Sequence, residues 1–386
     1  MKEVYFDNNA TTKVDERVFE AMLPYFVDNY GNPSSIHRVG QKVRKKIEDS
    51  RDIISNLLKI NPNELIFTSC GTESNNIAIK GVARAYKNRG KHIITSVIEH
   101  PSVLNTCKAL EKEGFEVSYI PIDDKGIVNL EKLKEAIRED TILISIMHGN
   151  NEIGTVQPIK EIGAIAKENK IFFHVDAVQT IGKMELNIKE NNISLLSFSG
   201  HKFYGPKGIG GLYVKNGIKL EKVLTGGHQE RNRRPGTENV ASIVGMTKAL
   251  ELSYENMEEE SKREKELRNY FEEEIVKKIP ELILNGDREK RLPGTSSVTI
   301  KFVEGESILL NLDFKGIAVS SGSACTSGSL EPSHVVLALG VPMEHAHGTI
   351  RFSLGRYNTK EEVDYVLEVL PPIVEKIRSM SPFWNN

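Results

Sequence analysis

The sequence predicts an α/β fold in which a mostly parallel sheet is flanked by helices. Between about residues 60 and 215, short apolar and β-branched runs alternate with amphipathic stretches of helical period. The runs are continuously apolar, which is typical of strands that are covered by helices on both faces. They are LIFTSC, HIITSV, VSYIPI, TILISIM, IFFHVDA, LLSFSG and GLYVK.

A smaller α+β domain is expected after this sheet. Residues 252–279 are heavily charged and carry a sparse apolar stripe, which predicts one long bridging helix. Strand-like SSVTIKF, a helix over SILLNLDF, Gly/Ser-rich SSGSACTSGS, strand-like GTIRFSL and a final helix from about 359 to 378 follow. We assign 15–255 to the large domain, and 1–14 with 256–386 to the small domain. Its Gly/Ser-rich loop, at about 320–332, is expected to be mobile.

Composition excludes several classes of protein. The chain of 386 residues has 51 basic and 53 acidic residues, so its net charge of −2 gives no sign of a nucleic-acid or membrane surface. It shows no leader peptide and no run long enough to span a bilayer, so we expect a cytoplasmic protein. Three widely spaced cysteines without CxxC spacing argue against a disulfide framework or a four-cysteine metal site.

Lys202 is the first candidate for covalent chemistry. It follows an apolar strand in SFSGHKFYGPKGIGG, where a lysine can lie in a cleft at the edge of the sheet. A desolvated lysine loses its proton more readily and can form a Schiff base with an aldehyde cofactor. A surface lysine in a glycine-rich hairpin remains the alternative. A dinucleotide loop is rejected, because these glycines join two strands instead of opening a helix.

Other predicted strand ends supply groups that suit pyridoxal phosphate. Asp176 could lie near the pyridinium nitrogen, and Gln179 could reach the phenolic oxygen. Gly71 and Thr72, at the start of a predicted helix, could bind a phosphate through backbone and hydroxyl donors. The structural alternatives are a helix-capping aspartate and an ordinary helix start.

Four further residues are candidates for contacts or chemistry with the cofactor or the substrate. His100 could stack on a flat ring and move protons, and Asn151 could hydrogen-bond the cofactor. Arg351 could clamp a carboxylate through two parallel hydrogen bonds. Cys325, in the Gly/Ser-rich loop, is placed for reactivity and not for burial. A structural histidine, a turn asparagine and an ion-paired strand arginine are the alternatives.

Two histidines and one basic run are less informative. His345 and His347 lack a third nearby ligand, so we expect no metal site in the isolated chain. The run ERNRRPGTEN at 230–239 is too short to bind nucleic acid. It could instead bring Thr237 and its cations to a phosphate, including one across a subunit interface.

The order and wording of these motifs resemble one family over nearly the whole chain. The matching strings are DNNATT, YGNPSSIH, TSCGTESNN, IEHPSV, NNEIGTVQPI, HVDAVQTIGK, SFSGHKFYGPKGIG, RPGTENV, SSGSACTS and IRFSLGRYNT. With them the chain resembles the cysteine desulfurases of the NifS/IscS type, in the class V aminotransferase family of fold-type I pyridoxal-phosphate enzymes.

This resemblance implies a role for each candidate. Lys202, Cys325 and His100 would be catalytic, and Arg351 with Asn151 would bind the substrate. The implied cofactor contacts are Lys202, Asp176, Gln179, Asn151, Thr72, Gly71, Ser199, His201 and, from the partner in a homodimer, Thr237.

The implied reaction converts L-cysteine to L-alanine and moves the sulfur to Cys325 as a persulfide. The sulfur would then pass to an acceptor protein such as an iron–sulfur scaffold, and Cys325 is a candidate ligand of a shared cluster. Pro235 replaces a serine of many relatives, a change that bears on a phosphate contact but leaves Thr237. The ending SPFWNN is shorter than a scaffold-docking extension, which leaves the acceptor open. A selenocysteine lyase, a transaminase and a non-catalytic adaptor are alternatives, and the thiol Cys325 argues against transamination.

Overall fold

The computed structural model describes residues 3–321, 332–381 and 384. The strands are β1 (Val4–Tyr5), β2 (Leu65–Thr68), β3 (His92–Ser96), β4 (Glu116–Ile120), β5 (Thr141–Met147), β6 (Phe172–Asp176), β7 (Leu195–Ser199), β8 (Gly210–Val214), β9 (Leu282–Asn285), β10 (Thr295–Ile300), β11 (Ile317–Ala318), β12 (Ser320–Ser321) and β13 (Thr349–Ser353). The helices are α1 (Glu16–Met22), α2 (Arg38–Leu57), α3 (Gly71–Ala85), α4 (Pro101–Lys112), α5 (Leu130–Glu135), α6 (Ile159–Glu168), α7 (Gln229–Asn232), α8 (Val240–Lys278), α9 (Gly305–Asp313), α10 (His334–Ala338), α11 (Met343–Ala346) and α12 (Lys360–Ser379).

The large sheet contains every strand that the sequence predicted between residues 60 and 215. Its order is β2-β8-β7-β6-β5-β3-β4, and only β8 runs antiparallel to its neighbours. A short return after β7 permits only an antiparallel pairing, whereas the parallel pairs are joined through longer crossovers. The prediction of a mostly parallel sheet flanked by helices is therefore confirmed.

Burial on both faces explains why the strands are continuously apolar. All seven residues of β5 are buried, and successive side chains enter different cores. Leu143 packs in the cluster with α3 and α4, whereas Ile144 packs in the cluster with α2 and α6. Strand side chains alternate between faces, so a sheet with helices on each side needs apolar residues at every position.

A second hydrophobic cluster surrounds a four-stranded antiparallel sheet of order β12-β13-β10-β9. Phe271 of α8, Phe352 of β13 and Leu370 of α12 belong to this cluster. The first strand, β1, pairs in parallel with β11, so the N-terminal segment lies beside this second sheet. The assignment of residues to two domains stays a prediction.

Helix α8 begins earlier than the sequence predicted. Its first residue is Val240, not residue 252, and the side chain of Asn239 caps it by accepting from the backbone N–H of Ser242. Residues 240–247 are all buried in the first cluster or beside it, so they lack the one-sided apolar stripe that marks a surface helix. Its C-terminal part reaches the second cluster through Phe271 and Ile275.

Candidate active site

A cavity of about 370 Å³ opens at the carboxyl ends of β5, β6 and β7. This volume is within the usual range for small-molecule sites, and the carboxyl edge is where α/β sheets bind ligands. Ten residues singled out from the sequence line the cavity: Gly71, Thr72, His100, Asn151, Asp176, Gln179, Ser199, His201, Lys202 and Arg351. The lining also includes Asn9, Ala10, Cys70, Asn75, Ser102, Met147, Gly149 and Val178.

Lys202 enters the cavity directly after β7. The strand ends at Ser199, and a single 3-10 turn over Gly200–Lys202 aims the chain into the cleft. The Nζ atom of Lys202 donates to the backbone oxygens of Asn9, at 2.5 Å, and Ala10, at 2.8 Å. The lysine is therefore held inside the site by the N-terminal segment, and it is not a surface residue of a hairpin.

Asp176 is the last residue of β6, and only 5% of it is exposed. Its Oδ1 accepts from the backbone N–H of Val178 at 3.0 Å, and its Oδ2 accepts from Nδ2 of Asn75 at 2.7 Å. The residues that follow form turns and not a helix, so Asp176 caps a turn while its carboxylate lines the cavity. Two donors to one buried group are the arrangement that an ionised carboxylate requires.

The start of α3 lies on the cavity wall. A Cβ atom placed on Gly71 would lie 2.7 Å from Cγ2 of Val178, so this position requires glycine. Backbone N–H groups at the first turn of a helix of 15 residues attract negative charge. His201 lies nearby, and burial followed by the charge of Lys202 lowers its pKa to about 4. His201 is therefore neutral at pH 7.

Gln179 has an unused polar group in the same cavity. Its Nε2 donates to the backbone oxygen of Asn9 at 2.9 Å, whereas its Oε1 is buried without a hydrogen-bond partner among the described residues. Buried polar atoms are normally paired, so an orphan on a cavity wall indicates a polar ligand. Together with the backbone N–H groups at the start of α3, this orphan fits a phosphorylated aromatic cofactor.

Arg351 lies on β13 with only 2% of its surface exposed. Its Nη2 donates to Oδ1 of Asp7 at 2.6 Å, and its Nη1 donates to the backbone oxygen of Asn151 at 3.0 Å. Its Nε is buried and has no hydrogen-bond partner in the described part of the chain. The arginine is thus ion-paired, as one alternative proposed, and it lines the cavity.

His100 is the N-cap of α4, and its Nδ1 accepts from the backbone N–H of Ser102 at 3.1 Å. The hydroxyl of Ser102 lies 2.8 Å from the same nitrogen. Burial lowers the pKa of His100; the charge of Lys202 adds to this effect, and the charge of Asp176 opposes it. His100 is accordingly a neutral imidazole at pH 7.

One predicted site residue, Thr237, does not join this group, and another lies outside the described residues. Thr237 is exposed and lies outside the cavity lining, on the segment between α7 and α8. Cys325 falls outside the described residues.

His345 packs edge-on against Phe302 with ring centroids 5.3 Å apart. Within the described ranges, no three His, Cys, Asp or Glu side chains are arranged to hold a metal ion, and no helix has the length and apolarity needed to cross a membrane.

Sequence reasoning missed several residues that support the site. Asn9 holds both Lys202 and Gln179, and Asp7 holds Arg351, although DNNATT contributed to the resemblance as a string. Asn75 follows Gly71 by four positions, so both lie on one face of α3. That spacing is the signal that could have placed Asn75 in the cavity.

The fold and the cavity define an α/β enzyme scaffold in which a lysine, a buried carboxylate and an arginine meet at the carboxyl edge of the sheet. The sequence pattern of the class-V aminotransferases matches residues 4–366. The cysteine desulfurase IscS of Dictyoglomus turgidum is 54% identical over 382 residues, covering 99% of this chain and 97% of that protein.

Solved structures agree with this match. A NifS-like protein superposes with a TM-score of 0.92 and 41% identity, covering 97% of this chain and all of the other. SspA in complex with cysteine superposes with a TM-score of 0.82 and 38% identity, covering 92% of this chain and all of SspA. The chain belongs to the class V aminotransferase family, among its cysteine desulfurases of the NifS/IscS type.

Proposed function

We propose that this chain is a pyridoxal-phosphate-dependent sulfurtransferase that converts L-cysteine to L-alanine and passes the sulfur to Cys325 as a persulfide. The observation that carries the proposal is the meeting of Lys202, Asp176 and Arg351 in one cavity. The full-length similarity to a cysteine desulfurase and the similarity to SspA, solved with cysteine, support the substrate.

The cavity offers a group for each part of the cofactor. Lys202 would hold the aldehyde carbon, Asp176 the ring nitrogen and Gln179 with Asn151 the side of the phenolic oxygen. Thr72, Gly71, Ser199 and His201 would hold the phosphate. Bound pyridoxal phosphate supplies an electron sink that weakens the bonds at the α-carbon of an amino acid.

Substrate binding would rest on Arg351. Asp7 and the backbone of Asn151 fix its guanidinium, and its buried Nε faces no other hydrogen-bond acceptor among the described residues. A substrate carboxylate would bind the guanidinium through charge-assisted hydrogen bonds. The α-carbon would then lie in the same cavity as Lys202, which would take up and return its proton.

Sulfur transfer would require Cys325 as a thiolate. Its sulfur attacks the substrate sulfur, so an S–S bond forms while the substrate C–S bond breaks. The electron pair of the broken bond stays with the amino-acid fragment, which takes up protons and leaves as alanine. His100, which lines the cavity, would assist these proton transfers.

The proposal includes a homodimer, a sulfur acceptor and a cytoplasmic location. Phe26, Val27, Tyr30 and Ile36 are 59%, 73%, 75% and 94% exposed, and a dimer interface would bury such apolar side chains. In a dimer, Thr237 would reach the phosphate of the partner subunit. An iron–sulfur scaffold is the proposed acceptor, with Cys325 as a ligand of a shared cluster. A reducing compartment would keep the acceptor thiols available.

A cofactor-binding assay with a matched lysine control tests the proposal. The wild type and Lys207→Ala should bind pyridoxal phosphate, absorb visible light and release alanine from cysteine, because Lys207 is exposed and does not line the cavity. Lys202→Ala should lose cysteine turnover and the borohydride-reducible link to the cofactor. Turnover by Lys202→Ala at the wild-type rate would contradict the proposal.

A further inference from the structure

A continuous hydrogen-bond chain joins the carboxylate of Asp176 to the imidazole of His100. Nδ2 of Asn75 donates to Oδ2 of Asp176 at 2.7 Å and lies 2.8 Å from Oγ of Ser102. The same Oγ lies 2.8 Å from Nδ1 of His100. Asn75 and Ser102 are 1% and 8% exposed, so water has little access to either link.

The direction of every bond in this chain follows from the carboxylate. An ionised Asp176 can only accept, so the amide nitrogen of Asn75, and not its oxygen, must face it. The second hydrogen of that nitrogen then points at Ser102, whose Oγ becomes an acceptor. The hydroxyl hydrogen of Ser102 is thereby left to donate to Nδ1 of His100.

Nδ1 of His100 therefore receives two hydrogen bonds, since the backbone N–H of Ser102 also donates to it at 3.1 Å. A nitrogen that accepts cannot carry a proton itself. We propose that Asn75 and Ser102 are positioning residues that hold His100 as the neutral tautomer with its proton on Nε2, so that His100 enters the reaction as a hydrogen-bond donor through Nε2.

The expected effect on cysteine turnover rests on the proposed function. The tautomer of His100 does not, because it is a property of the chain itself. Among the described residues, Asp176, Lys202 and His334 are charged or titratable groups that act on His100. Asn75 and Ser102 carry no charge, so they act on His100 through hydrogen bonds.

The test is nitrogen NMR on the full-length protein labelled with ¹⁵N-histidine, with and without pyridoxal phosphate. The chain has 10 histidines, and His100→Gln identifies the signals of His100 by their loss. We expect an unprotonated Nδ1 and a protonated Nε2 near pH 7. A proton on Nδ1 would overturn the proposal whether or not the protein turns over cysteine.

Ser102→Ala removes one of the two donors to Nδ1. Losing one hydrogen bond should raise the pKa of His100 by about half a unit to one unit in the NMR titration. It should also lower kcat by about twofold to tenfold while the KM for cysteine stays unchanged. If the protein proves to lack desulfurase activity, the titration still decides this inference.

Thr106→Val is the matched control. Thr106 lies on the same helix and donates to the backbone oxygen of Ser102, and it does not line the cavity that holds Lys202. It should leave the titration of His100 unchanged. Asn75→Leu is a second variant in case Ser102→Ala folds poorly, and it should shift the titration in the same direction. A titration of His100 that is identical in all these variants would contradict the assignment.

Discussion

Replacing Glu230 with alanine should strongly destabilise the protein. Glu230 is buried between α2 and β2. Its carboxylate accepts hydrogen bonds from Nη1 of Arg51 at 3.0 Å, from Nη2 of Arg51 at 2.7 Å and from the backbone N–H of Phe67 at 2.8 Å. Both side chains of the ion pair are only 3% exposed. Glu230→Ala would remove the buried carboxylate that holds both Nη atoms of Arg51 and leave only the partly exposed Glu48, 3.1 Å from Nε, as an ion-pair partner. Breaking a buried ion pair typically costs about 3–5 kcal/mol.

Backbone conformation adds to this expectation. Glu230, Arg231 and Asn232 are consecutive non-glycine residues with φ of 46°, 55° and 67°. Such conformations persist only where the surrounding contacts enforce them. Without Glu230 the segment that leads to Thr237 should relax, so the apparent affinity for pyridoxal phosphate should fall with stability.

Urea unfolding followed by circular dichroism measures the effect. Glu113→Ala, which breaks a largely exposed pair with Arg84, should stay within about 1 kcal/mol of the wild type. The double variant Arg51→Met/Glu230→Leu should be more stable than Glu230→Ala, because it leaves no buried unpaired charge. A Glu230→Ala protein as stable as the Glu113→Ala control would show that the buried pair of Arg51 and Glu230 does not stabilise the fold as proposed.

Three other changes test the site and the core. Arg351→Lys should raise the KM for cysteine about tenfold or more in steady-state kinetics, because an ammonium lacks the planar guanidinium that Asp7 and the backbone of Asn151 hold in place. An unchanged KM would exclude the substrate-binding role. Gly71→Ala should weaken cofactor binding in a titration, because its Cβ would clash with Val178, and unchanged affinity would contradict the phosphate assignment. Burial lowers the pKa of His174 to about 3, well below the value of about 6.5 in an unfolded chain. Because only the unfolded state takes up this proton, the free energy of unfolding should fall as the pH drops below 6.5. Relative to His174→Asn, the wild type should lose about 3 kcal/mol of that free energy by pH 4. A difference in the free energy of unfolding that stays constant with pH in denaturant titrations would contradict this.

The large sheet was predictable because its residues obey one strong rule. Strands buried on both faces must be apolar at every position, so β5 and its neighbours are visible in the sequence. The start of α8 was not, because residues 240–247 are also buried on all sides and show no amphipathic stripe. An all-apolar run does not distinguish a buried helix from a loop that packs in the core.

Some residues of the site were predictable from the sequence, and others were not. Asp176 and Lys202 follow strands at the carboxyl edge, so their place could be inferred from strand order. Asp7 and Asn9 meet Arg351 and Lys202 only because the chain returns to the N-terminal segment after more than 190 residues. No local pattern encodes such a contact.

The central claim is that Cys325 takes the sulfur of cysteine, and one assay tests it directly. Purified wild type, Cys325→Ser and Cys107→Ala are incubated with cysteine and a reductant, and alanine and sulfide are quantified beside the visible spectrum. Cys107 is a suitable control, because burial raises the pKa of its thiol to about 12 and keeps it protonated. The wild type and Cys107→Ala should each release equal amounts of alanine and sulfide, whereas Cys325→Ser should release neither while still binding the cofactor. Full activity of Cys325→Ser would contradict the central claim.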